Sequence, residues 1–283
     1  MWVKALLSKF ELSSYKEVII TVRLDELSWL DVKEVLTKPH AVILPIGSTE
    51  EHGAHLPLNV DSACVTYIAE GAAKKAADDH GVIALVAPTI HYTDVGPHKR
   101  FPGTIGIKIE TLIQVLVEII EAFMDQGFKN VIGLSGHLEN NSPLEIACRI
   151  VADRRPGANI YGLTVVHGLG SHALPGILKG GIPGMGHALE VEASIALVIQ
   201  PQNVHLEKTI VGHRRLPLPE KYIGPVGEDK SRGVLYCSGI EESEESGTSG
   251  DPRMATKEAG KKILAADIDD LTDIIVQVVK AKK

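Results

Sequence analysis

The chain has 283 residues, 44% hydrophobic and 23% charged, a balance that allows a buried core and excludes a disordered or fibrous protein. A formal net charge of -7 argues against binding to nucleic acid, which needs a basic face, and disfavours an anionic membrane. The cysteines Cys64, Cys148 and Cys237 are widely spaced and form no CxxC pair, which excludes a disulfide framework and a cysteine zinc site and points to a reducing, cytoplasmic setting. The first ten residues, broken by Lys4 and Lys9, are too short an apolar stretch for a signal sequence or a membrane span, so a soluble, unexported protein is expected.

Taken in chain order, the first predicted strand is 41–47, a continuous apolar run suited to a sheet covered on both faces. Its end leads into Leu44-Pro-Ile-Gly-Ser-Thr-Glu-Glu-His-Gly-Ala-His-Leu-Pro-Leu-Asn-Val-Asp61, which holds Glu50, His52, His55 and Asp61 within twelve positions. Glu50 and His52 are two apart, so in an extended segment they project to one side. Asp61 stands where a helix over 61–80 begins, and taken alone it reads equally well as an N-cap. A second strand is predicted at 82–88. The 3.6-residue period of Leu112, Val115, Leu116, Ile119, Ile120 and Phe123 gives a helix over 110–126, closed by Gly127.

The third strand, 131–136, runs directly into His137-Leu-Glu139-Asn140-Asn141, a second imidazole and carboxylate two apart at the carboxyl end of a buried strand. Open α/β sheets place their sites there. Together Glu50, His52, Asp61, His137 and Glu139 make a set of oxygen and nitrogen ligands without a thiolate, suited to Zn or Mn. Two divalent ions would bring four positive charges against the three carboxylates, and a bridging hydroxide would make the site neutral, so two ions suit the set better than one.

A helix over 142–155, a strand over 160–166 and a helix over 187–200 follow. The last opens with Gly186-His187-Ala-Leu-Glu190-Val-Glu192-Ala-Ser194. Glu190 and Glu192 can be read as carboxylates favoured by the helix dipole, whereas His187 at the helix mouth is placed to pass a proton to a leaving nitrogen. The Pro/Gly-rich and acidic stretch at about 211–253 is expected to be an excursion or oligomer contact, and a final helix starts near 256. Strands alternating with helices predict an α/β protein, a three-layer α/β/α sandwich around a mostly parallel sheet, with 1–283 as a single domain.

The blocks Pro45 to Pro57 with Asp61, Phe101-Pro-Gly-Thr104, Ser135-Gly-His-Leu-Glu-Asn140, His187 to Ser194 and Gly250-Asp-Pro-Arg-Met-Ala-Thr256 occur in an order that resembles the creatininase (creatinine amidohydrolase) family, over about residues 40 to 265. The resemblance implies a binuclear enzyme with Zn or Mn that cleaves an amide, lactam or formamide C-N bond of a small molecule. Asp61 would bridge the metals, with Glu50 and His137 completing one site and His52 and Glu139 the other. His187 would contact substrate or shuttle a proton, Glu192 would lie in or near the metal shell as a second catalytic candidate, and His98, with Leu138 and Asn140, would line the substrate pocket. A homo-oligomer, a hexamer built from dimers, is implied by the same analogy. The family enzyme acting on creatinine closes its pocket with tryptophans in the stretch corresponding to about 165–190, where this chain has none; its tryptophans are Trp2 and Trp29. Creatinine is therefore expected to be a poor substrate.

Two readings from other classes compete. Gly168-Leu-Gly170-Ser-His-Ala173 has the GxGxxA spacing of a dinucleotide site, but Pro175-Gly176 and Gly180-Gly181 break the helix that such a site requires. The other alternative is a catalytically inactive metal- or ligand-binding protein of the same fold, for which the five ligands are hard to explain without a metal.

Overall fold

The structure is a computed structural model that describes residues 21–165, 168–180, 186–212 and 246–281. Cys237, Trp2, the last residue of the predicted fourth strand and most of the 211–253 excursion lie outside them.

Four parallel strands form the sheet in the order β2-β1-β3-β4: β1 (His40–Ile46), β2 (Ile83–Val86), β3 (Asn130–Ser135) and β4 (Asn159–Thr164). All seven residues of β1 are buried, which explains its unbroken apolar run. Its side chains alternate between two cores. Ala41 and Ile43 pack on one face with α2 (Val60–His80), α5 (Glu190–Ile199) and α6 (Lys257–Lys280). Val42, Leu44 and Ile46 pack on the other with α1 (Trp29–Val35), α3 (Ile109–Gln126) and α4 (Asn141–Arg154). The result is the expected three-layer arrangement.

Local sequence accounts for the elements. Gly127, with φ of 103°, ends α3 in the left-handed conformation anticipated for it. On the opposite face, the alanines Ala69, Ala72, Ala73 and Ala76 let α2 lie close to its neighbours. Gly260 does the same for α6, because a Cβ there would run into the carbonyl of Ser194 on α5. Sequence periodicity did not give α1, a seven-residue helix fixed by a capping box in which Ser28 and Asp31 bond each other's backbone N–H groups.

Two expectations shift. The helix predicted over 187–200 starts at Glu190, so His187 sits in the loop that feeds it. After Gly168 and Gly170 the chain makes only a short 3-10 helix, Ser171–Gly176, with Pro175 inside it, which is no dinucleotide-binding helix. The strand order reverses direction between β1 and β3: the chain leaves β1 to one side for β2 and returns to the other for β3. A crevice at the carboxyl ends of those two strands follows from that topology.

Candidate metal centre

The loops after β1 and β3 meet in this crevice, tied by Gly136 N–H donating to the Ile46 carbonyl at 2.8 Å. The Gly47 carbonyl next to it accepts from both Thr93 Oγ1 and Asn140 Nδ2, each at 2.8 Å. Gly47 itself can only be glycine, since a Cβ would collide with the backbone and hydroxyl of Ser62 at the start of α2. That contact sets Asp61. Its Oδ2 accepts from Ser48 Oγ at 2.7 Å, while Ser62 Oγ donates to the Ser48 carbonyl at 2.8 Å. Asp61 is not the N-cap; Asn59 is, and Asp61 points inward from the first turn, almost fully buried.

Asp61 lies between two histidines. Oδ1 is 3.2 Å from His52 Nε2 and Oδ2 is 3.0 Å from His137 Nδ1. The other nitrogen of each ring faces a carbonyl, His52 Nδ1 that of Glu50 at 3.2 Å and His137 Nε2 that of Asp94 at 2.9 Å. A carbonyl can only accept, so in the neutral rings those nitrogens carry the hydrogens and the nitrogens facing Asp61 are bare. Bare nitrogens set against a carboxylate are acceptors facing acceptors, an arrangement that calls for a cation or protons between them. Glu50 adds to this: its Oε2 is buried without a hydrogen-bond partner, 3.4 Å from His137 Nε2.

The ligand-capable atoms of Glu50, Asp61 and His137 all lie within 4.8 Å of one another, and so do those of His52, Asp61 and Glu192. Asp61 is common to both sets. The resemblance paired Glu139 with His52; the geometry instead brings Glu192 there, its Oε2 3.9 Å from His52 Nε2, and sets Glu139 Oε2 3.2 Å from His137 Nε2. Glu192 faces the cluster because residues two apart on a helix point to nearly opposite sides. Glu190 accordingly turns away and accepts the N–H groups of Lys179 and Gly180 at 2.8 and 2.7 Å, a structural task. Electrostatics agree with a site built for positive charge. Burial pushes the Glu50 carboxyl up to about 8 and Glu192 up to about 7. Burial opposes charge on His52, but Asp61 overrides it and carries the ring up to about 10. The donor set, all oxygen and imidazole nitrogen, fits Zn or Mn.

Of the remaining candidates, His187 approaches Glu50 Oε1 through Nδ1 at 3.7 Å, and its ring lies 4.6 Å from that of His52. The loop presenting it is clamped: the Ala188 N–H donates to Glu192 Oε2 at 2.5 Å, His55 Nε2 lies 3.1 Å from the Ala188 carbonyl, and Ala188 has a φ of 56°. His98 is buried beside His187, ring centroids 4.1 Å apart. Asn140 is fully buried on the Gly47 carbonyl, and Leu138 is 47% exposed; neither joins the ligand sets.

Sequence reading passed over Glu51. It is buried, with Oε1 2.6 Å from His98 Nδ1 and 3.3 Å from His187 Nε2. Burial alone would raise its carboxyl, but the imidazoles of His187 and His98 set against it hold it well below the usual carboxylate range. Its only signal was its place between Glu50 and His52.

A parallel α/β/α frame with a buried histidine and carboxylate cluster at its switch point defines an α/β protein with a candidate metal site where such folds place their ligands. A family profile described as "Creatininase: Creatinine amidohydrolase" matches residues 25–275, and the chain belongs to the creatininase family, a family of hydrolases. It is 32% identical over 238 residues to a mycofactocin precursor peptide peptidase of Mycobacterium tuberculosis (strain ATCC 25618 / H37Rv), covering 81% of this chain and 82% of that one. It is 31% identical over 218 residues to a 3-dehydro-scyllo-inosose hydrolase of Thermotoga maritima, covering 72% and 65%. The fold superposes on a crystal structure of creatinine amidohydrolase with a TM-score of 0.74 at 22% identity, covering 93% of this chain and all of that one. Further creatininase structures of the same TM-score include one described as a Mn form and one as a Zn-Zn type.

Proposed function

We propose that this chain is a binuclear metal-dependent amidohydrolase that cleaves a C-N bond of a small polar amide, lactam or formamide. Glu50, Asp61 and His137 would hold one ion, with Glu139 beside His137, and His52, Asp61 and Glu192 the other. The observation that carries this reading is Asp61, whose two oxygens each face the bare nitrogen of a different histidine. Two divalent ions, when bound, would lower the pKa of a water towards neutrality and polarise the substrate carbonyl. Around them the chain supplies the rest. His187 Nδ1, turned towards Glu50, is placed to shuttle a proton, taking one from the attacking water and passing it to the departing nitrogen. Glu139, a third exposed at its side chain, and His98 would face the substrate. Asn140 would act on substrate only indirectly, by fixing the rim through Gly47. Leu138 would contribute an apolar wall at the mouth.

Purified protein analysed by mass spectrometry for metals should hold about two Zn or Mn ions per chain. Exhaustive chelation should abolish hydrolysis until Zn or Mn is returned; full activity with metal absence verified would sink the reading.

For substrate, Trp29 is the one tryptophan among the described residues, and it is 69% exposed on α1. Tryptophan faces hold a flat cationic ring by about 0.5 to 2 kcal/mol each. Without them creatinine should bind productively roughly ten- to a thousandfold less well than the preferred substrate. A short peptide is the second reading, favoured by the peptidase relative. Specificity constants for creatinine, lactams, formamides and short peptides decide between them, and creatinine coming out best would overturn the pocket reasoning. The assembly is proposed to be a homo-oligomer, a hexamer built from dimers, for which β4 offers a half-buried outer strand at the sheet edge.

A further inference from the structure

We propose that Glu51 is a positioning residue that fixes the orientation and tautomer of both pocket histidines, His98 and His187. The reading that His187 acts on the scissile nitrogen is assumed here; the placement of the carboxylate is independent of it.

Glu50 and Glu51 are adjacent and diverge, Glu50 towards Asp61 and His137, Glu51 towards the two rings. The Glu51 carboxylate divides its work between its oxygens. Oε2 accepts the Gly53 N–H at 2.8 Å, which holds it within its own loop, and the Glu51 N–H donates to Thr104 Oγ1 at 2.9 Å. Oε1 is left for the rings, 2.6 Å from His98 Nδ1 and 3.3 Å from His187 Nε2.

The space around this carboxylate is shaped for it. A Cβ on Gly247 would strike Oε2, and one on Gly53 would come 2.7 Å from His55 Nδ1. Gly53 and Gly247 have φ of 67° and 65°, so both turns are of the kind glycine favours. The turn at Gly247 therefore leaves room for this buried carboxylate, while the turn at Gly53 is closed in by Thr248 and His55.

An ionised carboxylate only accepts, so the hydrogen on His98 Nδ1 must point at Oε1, and buried His187 Nε2, which makes no well-formed hydrogen bond, has that same oxygen as its nearby acceptor at 3.3 Å. That assigns Nδ1–H to neutral His98 and Nε2–H to neutral His187, and it leaves His98 Nε2 and His187 Nδ1 bare. The bare His187 Nδ1 is the nitrogen 3.7 Å from Glu50 Oε1, on the side of the ligand sets. Without the carboxylate, nothing else described here would select that tautomer. Such orientation of an imidazole by a carboxylate at its far nitrogen is a general device in catalysis.

Glu51→Gln tests it sharply, because an amide has one oxygen and the position has two demands. If the oxygen serves Gly53, the amide NH2 faces the rings and forces hydrogens off His98 Nδ1 and His187 Nε2. If it serves the rings, the NH2 opposes the Gly53 N–H in a turn that cannot flip. Long-range 1H–15N spectra of the Zn-loaded wild-type protein should show His98 protonated on Nδ1 and His187 on Nε2. The Gln variant should keep its metal content, lose that pattern in at least one ring, and lose about ten- to a thousandfold in kcat with KM little changed. Glu51→Asp, which keeps the charge, should restore part of the rate.

Unchanged tautomers and turnover in Glu51→Gln would overturn the proposal. So would the opposite tautomers in the wild type, which need no variant to observe. Glu51, His98 and His187 could also hold a cation; a third metal per chain that disappears in Glu51→Gln would make Glu51 a ligand and likewise overturn its positioning role. A wild-type protein without metal or hydrolytic activity would defeat the amidohydrolase reading alone, since the tautomers would still decide the role of Glu51.

Discussion

Asp61 is the residue on which the two ligand sets depend. Asp61→Asn keeps the shape but replaces one acceptor oxygen with a donor, facing either His52 or His137. Metal content should fall at both positions, to below about one ion per chain, and turnover should fall by more than about a hundredfold. Glu192→Gln should empty mainly the His52 position, leaving about one ion. Mass spectrometric metal analysis of both variants separates them; equal loss in the two would contradict a shared Asp61. Glu50, His52, His137 and Glu139 were legible in the sequence because each follows within a few residues the carboxyl end of a buried strand, where topology concentrates chemistry, and Asp61 because it opens the next helix. The partner of His52 was not. Whether Glu190 or Glu192 turns inward depends on where α5 begins, and the sequence put that start three residues early. Glu51 was illegible for a related reason, since nothing in a run of two glutamates tells which neighbour each will meet.

At the level of elements, the site depends on helices that hold its loops in place. Glu192 on α5 is set by the packing of α5 against α6, and that packing depends on Gly260. Gly260→Ala should drive the helices apart and cost about 1 to 3 kcal/mol, even after the gain in helix propensity. Gly71→Ala on α2 is the contrasting case. Its Cβ would meet Ile268 Cδ1 at 2.7 Å, the far end of a flexible side chain, so propensity and crowding should nearly cancel. Thermal melts should show a Tm lowered by several degrees for the first variant and little changed for the second. The strands were visible in the sequence as unbroken apolar runs and the long helices through turn signals and, for α3, the 3.6-residue period. Helix α1 was not, because seven residues carry too few turns to display a period, and its capping box is a shorter signal.

Over the whole molecule, the buried carboxylates and imidazoles tie stability to occupancy. Each ion at about a hundred times its Kd contributes about 2.7 kcal/mol to the folded state, provided the unfolded chain does not bind it. Two ions should raise Tm by about 5 to 15 °C for a chain of this size. Calorimetry with and without chelator measures this, and a Tm indifferent to metal would mean that the cluster binds none. No described helix is long and apolar enough to cross a membrane.

The twin hydrogen bonds received by the Gly47 carbonyl have a consequence for how such a protein can diversify. A backbone oxygen, unlike a side chain, cannot be lost by substitution, and this one anchors Thr93 and Asn140 from two other loops at once. The rim of the crevice is thus fastened at a point that mutation reaches only indirectly. New side chains can enter at 94–101 or 138–139 and redraw the shape presented to a substrate while the strand ends beneath stay in register. Relatives named a precursor peptide peptidase and an inosose hydrolase are what such a division between a fixed foundation and a replaceable lining would produce.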